Sequence, residues 1–319
     1  MNDFFRLPLG RWVEDGVDYI TVTFGVFFDI VKIIIATVSD GMNLLFTSPP
    51  FWVMLVIFAL VAFVARGWLF SIGTTVSFLL ILSLDQWENA MDTLALVLVA
   101  AGIAVIISVP LGILAAKYQT VSTIVKPILD FLQTMPAFVY LVPALILFRI
   151  GDVPGIVATV LFALAPGVRL TELGIRGVDK EVVEAGQAFG SSPGRILRQI
   201  QLPLALPSIM AGINQVIMLS LSMVVIASMV GAGGLGKPVI QSLSRADVSL
   251  GFEAGLSVVL LAIFLDRLTA SFGTGKGYFR FIMESFAVRG RSAEGESAEA
   301  ANTTSAARNE PAELTPPVR

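Results

Sequence analysis

No charged residue occurs between Asp92 and Lys117, and none occurs from Ile209 to Val230. An α-helix rises 1.5 Å per residue, so about 20 apolar residues cross a hydrocarbon core roughly 30 Å thick. Runs of this kind leave few soluble solutions. The whole chain agrees: 55% of its 319 residues are hydrophobic and 14% are charged, with a mean hydropathy of +0.84. Soluble domains average about 45–50% apolar and about 25% charged residues. Such a chain reads as an all-α integral membrane protein rather than a soluble enzyme. It contains 0 Cys and 0 His, which excludes disulfides, thiol nucleophiles, histidine bases and the usual zinc sites. A net charge of −3 gives no electrostatic basis for nucleic-acid binding.

Seven spans are predicted: 51–65, 69–84, 91–116 (interrupted by Pro110), 128–150 (carrying Pro136 and Pro143), 153–173 (with Pro166), 209–230 and 251–265. The first, second and seventh are short, so flanking side chains must reach to the interface. The first residues carry Asp3, Glu14 and Asp15 rather than a basic region before an apolar run, so no signal peptide is expected.

Lys and Arg set the orientation. With the loop between the fifth and sixth spans inside, most of the 21 basic residues lie on that side. This expectation puts the N-terminus outside and the C-terminus in the cytoplasm. Residues 17–38 qualify it. Asp18, Thr21, Gly25, Asp29, Lys32 and Ala36 form one helical stripe on an otherwise apolar surface. The favoured reading is an amphipathic helix in the outer interface. The rival is an eighth span, which would move the N-terminus inside. Three parts follow: an extracytoplasmic segment 1–48, a membrane domain 49–287, and a tail 288–319. From Arg289 the tail is rich in Ala, Glu, Ser, Thr and Pro and reads as disordered. Asn302-Thr303-Thr304 within it fits a glycosylation sequon.

The segment 177–207 does not belong in a bilayer. It carries Asp179, Lys180, Glu181, Glu184, Arg195 and Arg198. Two short helices joined by a turn are predicted. The first runs from Val178 to Phe189, and Gly190 suits a C′ position with positive φ. Ser191 or Ser192 caps the second, Pro193 opens it, and Leu202-Pro203 turns the chain back into the bilayer. Such a hairpin either receives a partner or is a structured loop without one; its physics alone does not choose.

The hairpin's sequence reads Glu184-Ala185-Gly186-Gln187-Ala188-Phe189-Gly190, then nine residues, then Ile200-Gln201-Leu202-Pro203. It resembles the EAA loop of ATP-binding-cassette (ABC) importer permeases, with Gly186 in place of the second Ala. Gly lowers helix stability by up to about 1 kcal/mol, too little to abolish docking. The stretches 132–143, 169–171, 221–229 and 263–269 are similar to the glycine betaine/proline betaine permeases. The resemblance covers roughly 85–269. It implies the type I ABC importer fold, a cytoplasmic ATPase partner docking at Glu184, Ala185, Gly186, Phe189, Gly190, Ile200, Leu202 and Pro203, an external substrate-binding protein, and a homodimer or a closely related pair. It implies an osmoprotectant such as glycine betaine as cargo, with choline, methionine or another small solute as the alternative.

Aromatic faces hold quaternary ammonium groups. Phe131, Phe138, Tyr140 and Phe162 are therefore candidates for the translocation path, and Met135, Ser222 and Met223, within the similar stretches, are candidates beside them, although membrane Phe commonly serves packing alone. Gly102, Gly112, Ser220, Ser222 and Ser228 suit close helix contact, and Pro136, Pro143 and Pro166 suit kinks. Gly231-Ala232-Gly233-Gly234-Leu235-Gly236-Lys237 imitates phosphate-loop patterns. Pro238 stands where Ser or Thr would hold magnesium, and a span rather than a strand precedes it. No catalytic residue, cofactor or metal site is expected. Arg149, Arg169, Glu172 and Asp266 lie near span ends and read as anchors. This scarcity of intramembrane charge argues against a proton-driven secondary carrier.

Overall fold

The computed structural model describes residues 9–273; the predicted tail and its sequon lie outside them. Helices account for the fold, and no strand occurs among the described residues. In chain order they are α1 (Leu9–Thr23), α2 (Gly25–Thr47), α3 (Phe51–Arg66), α4 (Trp68–Ser83), α5 (Trp87–Lys117), α6 (Gln119–Thr134), α7 (Ala137–Phe148), α8 (Asp152–Arg176), α9 (Lys180–Ala188), α10 (Pro193–Ile196), α11 (Leu202–Ala227), α12 (Gly236–Arg245) and α13 (Val248–Gly273). Among the described residues, five helical stretches are long and apolar enough to cross a membrane, or six if α6 and α7 count as one broken span. The apolar helices α3 and α4 have 16 residues each and turn on Gly67, whose φ is +89°.

The centre is α5, α8 and α11. Small residues let these helices approach. A Cβ added at Gly112 of α5 would stand 2.6 Å from Thr171 Cβ of α8, so no larger residue fits without movement. Gly102 has open space instead, contrary to the packing role expected for it. Phe58, Phe78 and Phe264 join α3, α4 and α13. Phe58 and Phe78 stack with centroids 4.4 Å apart, and Phe264 meets Phe78 edge-on at 5.2 Å.

Four expectations change in detail. The predicted span 128–150 is two helices meeting at 102°. Met135 is extended (ψ 137°) because a residue before proline is driven out of the helical region, and α6 is amphipathic rather than uniformly apolar. Residues 17–38 are not one element: the chain breaks at Phe24, and α2 continues to Thr47. Val26, Phe27, Ile30, Ile33 and Ile34 are exposed, while Ile35 and Ser39 are buried and Phe28 and Val31 pack on the core. An outward apolar face and an inward face containing small and polar groups suit a helix crossing lipid, and α2 meets the length for it. The seventh span runs to Gly273 rather than ending at Leu265. Asp266 is stabilised there by Asn214 Nδ2 of α11 at 3.1 Å, and the Thr269 hydroxyl donates to Asn214 Oδ1.

Finally, Leu202-Pro203 does not turn the chain. Residues 193–230 form one continuous helical stretch, widened at Leu197–Gln201 into a π turn in which Leu202 N–H donates to Leu197 O. Pro203 has no N–H for the carbonyl four residues before it. A local π turn accommodates that loss without ending the helix. Pro143 and Pro166 likewise lie inside continuous helices.

Candidate functional site

The hairpin before α11 is built from local signals. Asp179 caps α9, its Oδ1 accepting from Glu181 N–H at 3.0 Å. At the other end Gly190 N–H donates to Gln187 O at 2.8 Å and Ser191 N–H to Gly186 O at 3.1 Å. This is a Schellman motif, and it requires the positive φ that Gly190 adopts at +77°. Ser192 holds the next N-cap position without a side-chain cap bond, and Pro193 follows at the helix start.

The structure divides the eight hairpin candidates into two groups. Glu184, Ala185, Phe189 and Gly190 are exposed, and Phe189 is 90% exposed. Gly186 is buried: a Cβ there would meet Ile200 Cδ1 at 2.8 Å and Ile196 Cγ1 at 3.5 Å. Ile200 therefore lies under α9 rather than on its outer face. Leu202 packs with Ile175, Ala205 and Ile209, and Pro203 is exposed at the start of α11. One group forms a free apolar and acidic tip; the other fixes that tip to α11. Glu184 also lines a groove of about 250 Å³ between α9 and the end of α8.

A polar ladder beside this base was not anticipated. Along α8, Arg169, Glu172 and Arg176 face α6, where Asp130, Lys126, Ser122 and Gln119 answer them. Arg169 pairs with Asp130. Glu172 Oε1 lies 3.2 Å from Lys126 Nζ and 3.0 Å from Arg176 Nε, and accepts from Ser122 Oγ at 2.8 Å. Arg176 also donates to Gln119 Oε1 and Ala115 O, each at 2.8 Å. Arg169 and Glu172 thus hold α6 rather than anchoring to a headgroup. The signal in the sequence is the three- and four-residue spacing of charges on both helices, legible only once the two are known to be neighbours. Arg149, by contrast, is exposed in the turn before α8.

Among the path candidates, Met135, Tyr140, Phe162 and Met223 join one cluster at the bend between α6 and α7. Tyr140 is 3% exposed and meets Phe162 edge-on at 6.0 Å. Its hydroxyl donates to Leu132 O. In an unbroken helix that carbonyl would bond to the N–H of residue 136, which is Pro136 and has none. Tyr140 therefore completes the bend. Phe131, Phe138 and Ser222 stay outside the cluster, exposed on the bundle surface.

At the opposite end, the glycine-rich loop is a fitted cap. Gly233 N–H donates to Asp152 Oδ1 and Leu235 N–H to Thr93 Oγ1, both at 2.8 Å. Gly231 and Gly234 have φ of +93° and +86°. Asp92 Oδ2 lies 3.6 Å from a Cβ placed on Gly233. These N–H groups already serve protein acceptors, and the nearby carboxylates repel phosphate.

Residues 108–275 match the family described as "Binding-protein-dependent transport system inner membrane component". The chain is 45% identical over 267 residues to the glycine betaine/proline betaine transport system permease protein ProW of Escherichia coli, covering 84% of this chain and 75% of that one. It is 48% identical over 276 residues to the glycine betaine/carnitine transport permease protein GbuB of Listeria monocytogenes, covering 85% and 98%. With the glycine betaine transport system permease protein OpuAB of Bacillus subtilis it shares 46% over 269 residues, covering 84% and 95%. Among solved structures, a chain of the inward-facing MetNI methionine ABC transporter superimposes with a TM-score of 0.52 at 23% identity, over 59% of this chain and 95% of that one. That likeness shows the fold, the all-α type I ABC importer fold. By this family match and its likeness to these permeases, the chain belongs to the inner-membrane components of binding-protein-dependent transport systems, as a multi-pass permease subunit rather than an enzyme.

Proposed function

We propose that this chain is the permease of an ATP-driven importer for glycine betaine or proline betaine. Two copies form the path, a cytoplasmic ATPase supplies the energy, and an external binding protein delivers the solute. The N-terminal helix α2 crosses the bilayer, and α9 lies on the cytoplasmic side with the C-terminus.

The observation that carries this reading is the seat of α9. Its exposed tip, Glu184, Ala185 and Phe189, is fastened through Gly186 and Ile200 to a helical stretch that continues to Val230. Closure of two ATPase subunits would push the tip, and the push would travel along that stretch to the glycine-rich cap at the far end. This is a two-state element biased by ligand at a distant site. The names of the relatives support the cargo. A quaternary ammonium fits exposed aromatic faces such as those of Phe131 and Phe138, whereas Phe162 and Met223 pack inside the cluster at the bend.

The test is reconstitution of the chain with its ATPase and binding protein in proteoliposomes. Glycine betaine uptake that stops when ATP is withheld is expected. Uptake driven by an ion gradient alone would overturn the proposal.

A further inference from the structure

Arg66, the last residue of α3, and Arg267 of α13 line one open groove of about 420 Å³, a volume typical of small-ligand sites. No carboxylate lines it, and neither arginine has an ion pair among the described residues. The groove lies at the end of the bundle that carries α9. The glycine-rich cap bonds to Thr93 near the start of α5, and α4 leads into that start, so Arg66 at the beginning of the α4 arm lies at the opposite end.

From the two arginines the groove runs along α4 past Gly73 and Thr74 to Ser77. A Cβ at Gly73 would meet nothing within 4 Å. Thr74, about 9 Å up α4 from the helix start, is 3% exposed, and its hydroxyl is buried without a hydrogen-bond partner among the described residues. The walls are apolar: Leu69 and Ile263 are largely exposed, and Phe264 stacks on Phe70 at 6.4 Å. Two guanidinium groups at one end of an apolar trough match a phosphodiester carrying acyl chains. A bare anion would leave the trough unfilled.

We propose that this groove binds one anionic glycerophospholipid. The phosphodiester lies between Arg66 and Arg267, and an acyl chain follows α4 and α13. Basic pockets between helices at a membrane face recognise such headgroups.

Native mass spectrometry of the purified full-length chain, mixed with equal phosphatidylglycerol and phosphatidylethanolamine, tests this. One phosphatidylglycerol should be retained in preference. Exchanging both arginines (Arg66→Gln with Arg267→Gln) should weaken retention about thirtyfold. Gly73→Leu keeps both charges but fills the trough, and should also strip the lipid. Thermal unfolding of each variant reports whether it is folded. Unchanged retention in the folded variants, equal retention of the two lipids, or displacement by millimolar inorganic phosphate would overturn the proposal, the last by identifying a free-anion site.

Discussion

Glu172 of α8 accepts a hydrogen bond from Ser122 of α6 at 2.8 Å while remaining only 5% exposed. Lys126 and Arg176 flank the same carboxylate oxygen. One acid thus fastens an amphipathic helix to the centre of the bundle, directly above the base of the α9 hairpin. Glu172→Ala should lower stability by about 1–3 kcal/mol, less than a fully buried pair because both cations remain partly hydrated. Lys126→Ala should cost less than about 1 kcal/mol, since its side chain is 52% exposed. Thermal unfolding of the purified chain measures both; equal losses would contradict the assignment of the burden to Glu172.

Tyr140→Phe isolates the bend between α6 and α7. It removes only the hydroxyl that serves Leu132 O, so the expected loss is about 1–2 kcal/mol of stability. The concentration dependence of uptake should not change. A raised KM with unchanged stability would instead return Tyr140 to the translocation path.

Gly186 separates tolerance from disruption. Gly186→Ala meets the far end of the flexible Ile200 side chain and gains helix propensity of up to about 1 kcal/mol. It should preserve ATP-dependent uptake. Gly186→Leu must lift α9 from Ile196 and Ile200, and should uncouple ATP hydrolysis from uptake while leaving membrane insertion intact. Parallel assays of hydrolysis and uptake distinguish the two variants.

Much of this architecture was legible as local pattern. The uncharged runs 93–116 and 209–230 lie within α5 and the stretch ending at Val230, because length and hydropathy decide a span without reference to neighbours. Gly190 announced its own positive φ. What escaped notice depends on partners distant in sequence. Arg169 and Glu172 resembled interface anchors until Asp130 and Ser122, about 40 to 50 residues earlier, were seen against them. Pro136 signalled a kink, but a bend of 102° also needs Tyr140 to satisfy the freed carbonyl. Asp266 looked like a span end because its partner Asn214 lies on another helix. Exposure likewise cannot be read along one helix, so Phe131 and Phe138 could not be told from Tyr140 by residue type.

Thr93→Val tests the glycine-rich cap. It leaves the buried N–H of Leu235 without its acceptor at a nearly isosteric site. A loss of about 1–3 kcal/mol is expected. Hydrogen exchange should show Leu235 and Gly233 losing protection while α9 keeps its own. Uniform loss across the chain would contradict a local role for this contact.

The most direct measurement concerns Phe189, which is 90% exposed and so contributes little to the fold of the free chain. Affinity purification of the full-length chain from cells that express its ATPase should recover that ATPase. With Phe189→Asp the chain should be recovered at normal yield and unfolding temperature, with the ATPase absent and ATP-dependent uptake abolished. Recovery of the ATPase at the unaltered ratio, with uptake at the unaltered rate, would contradict transmission of work through α9.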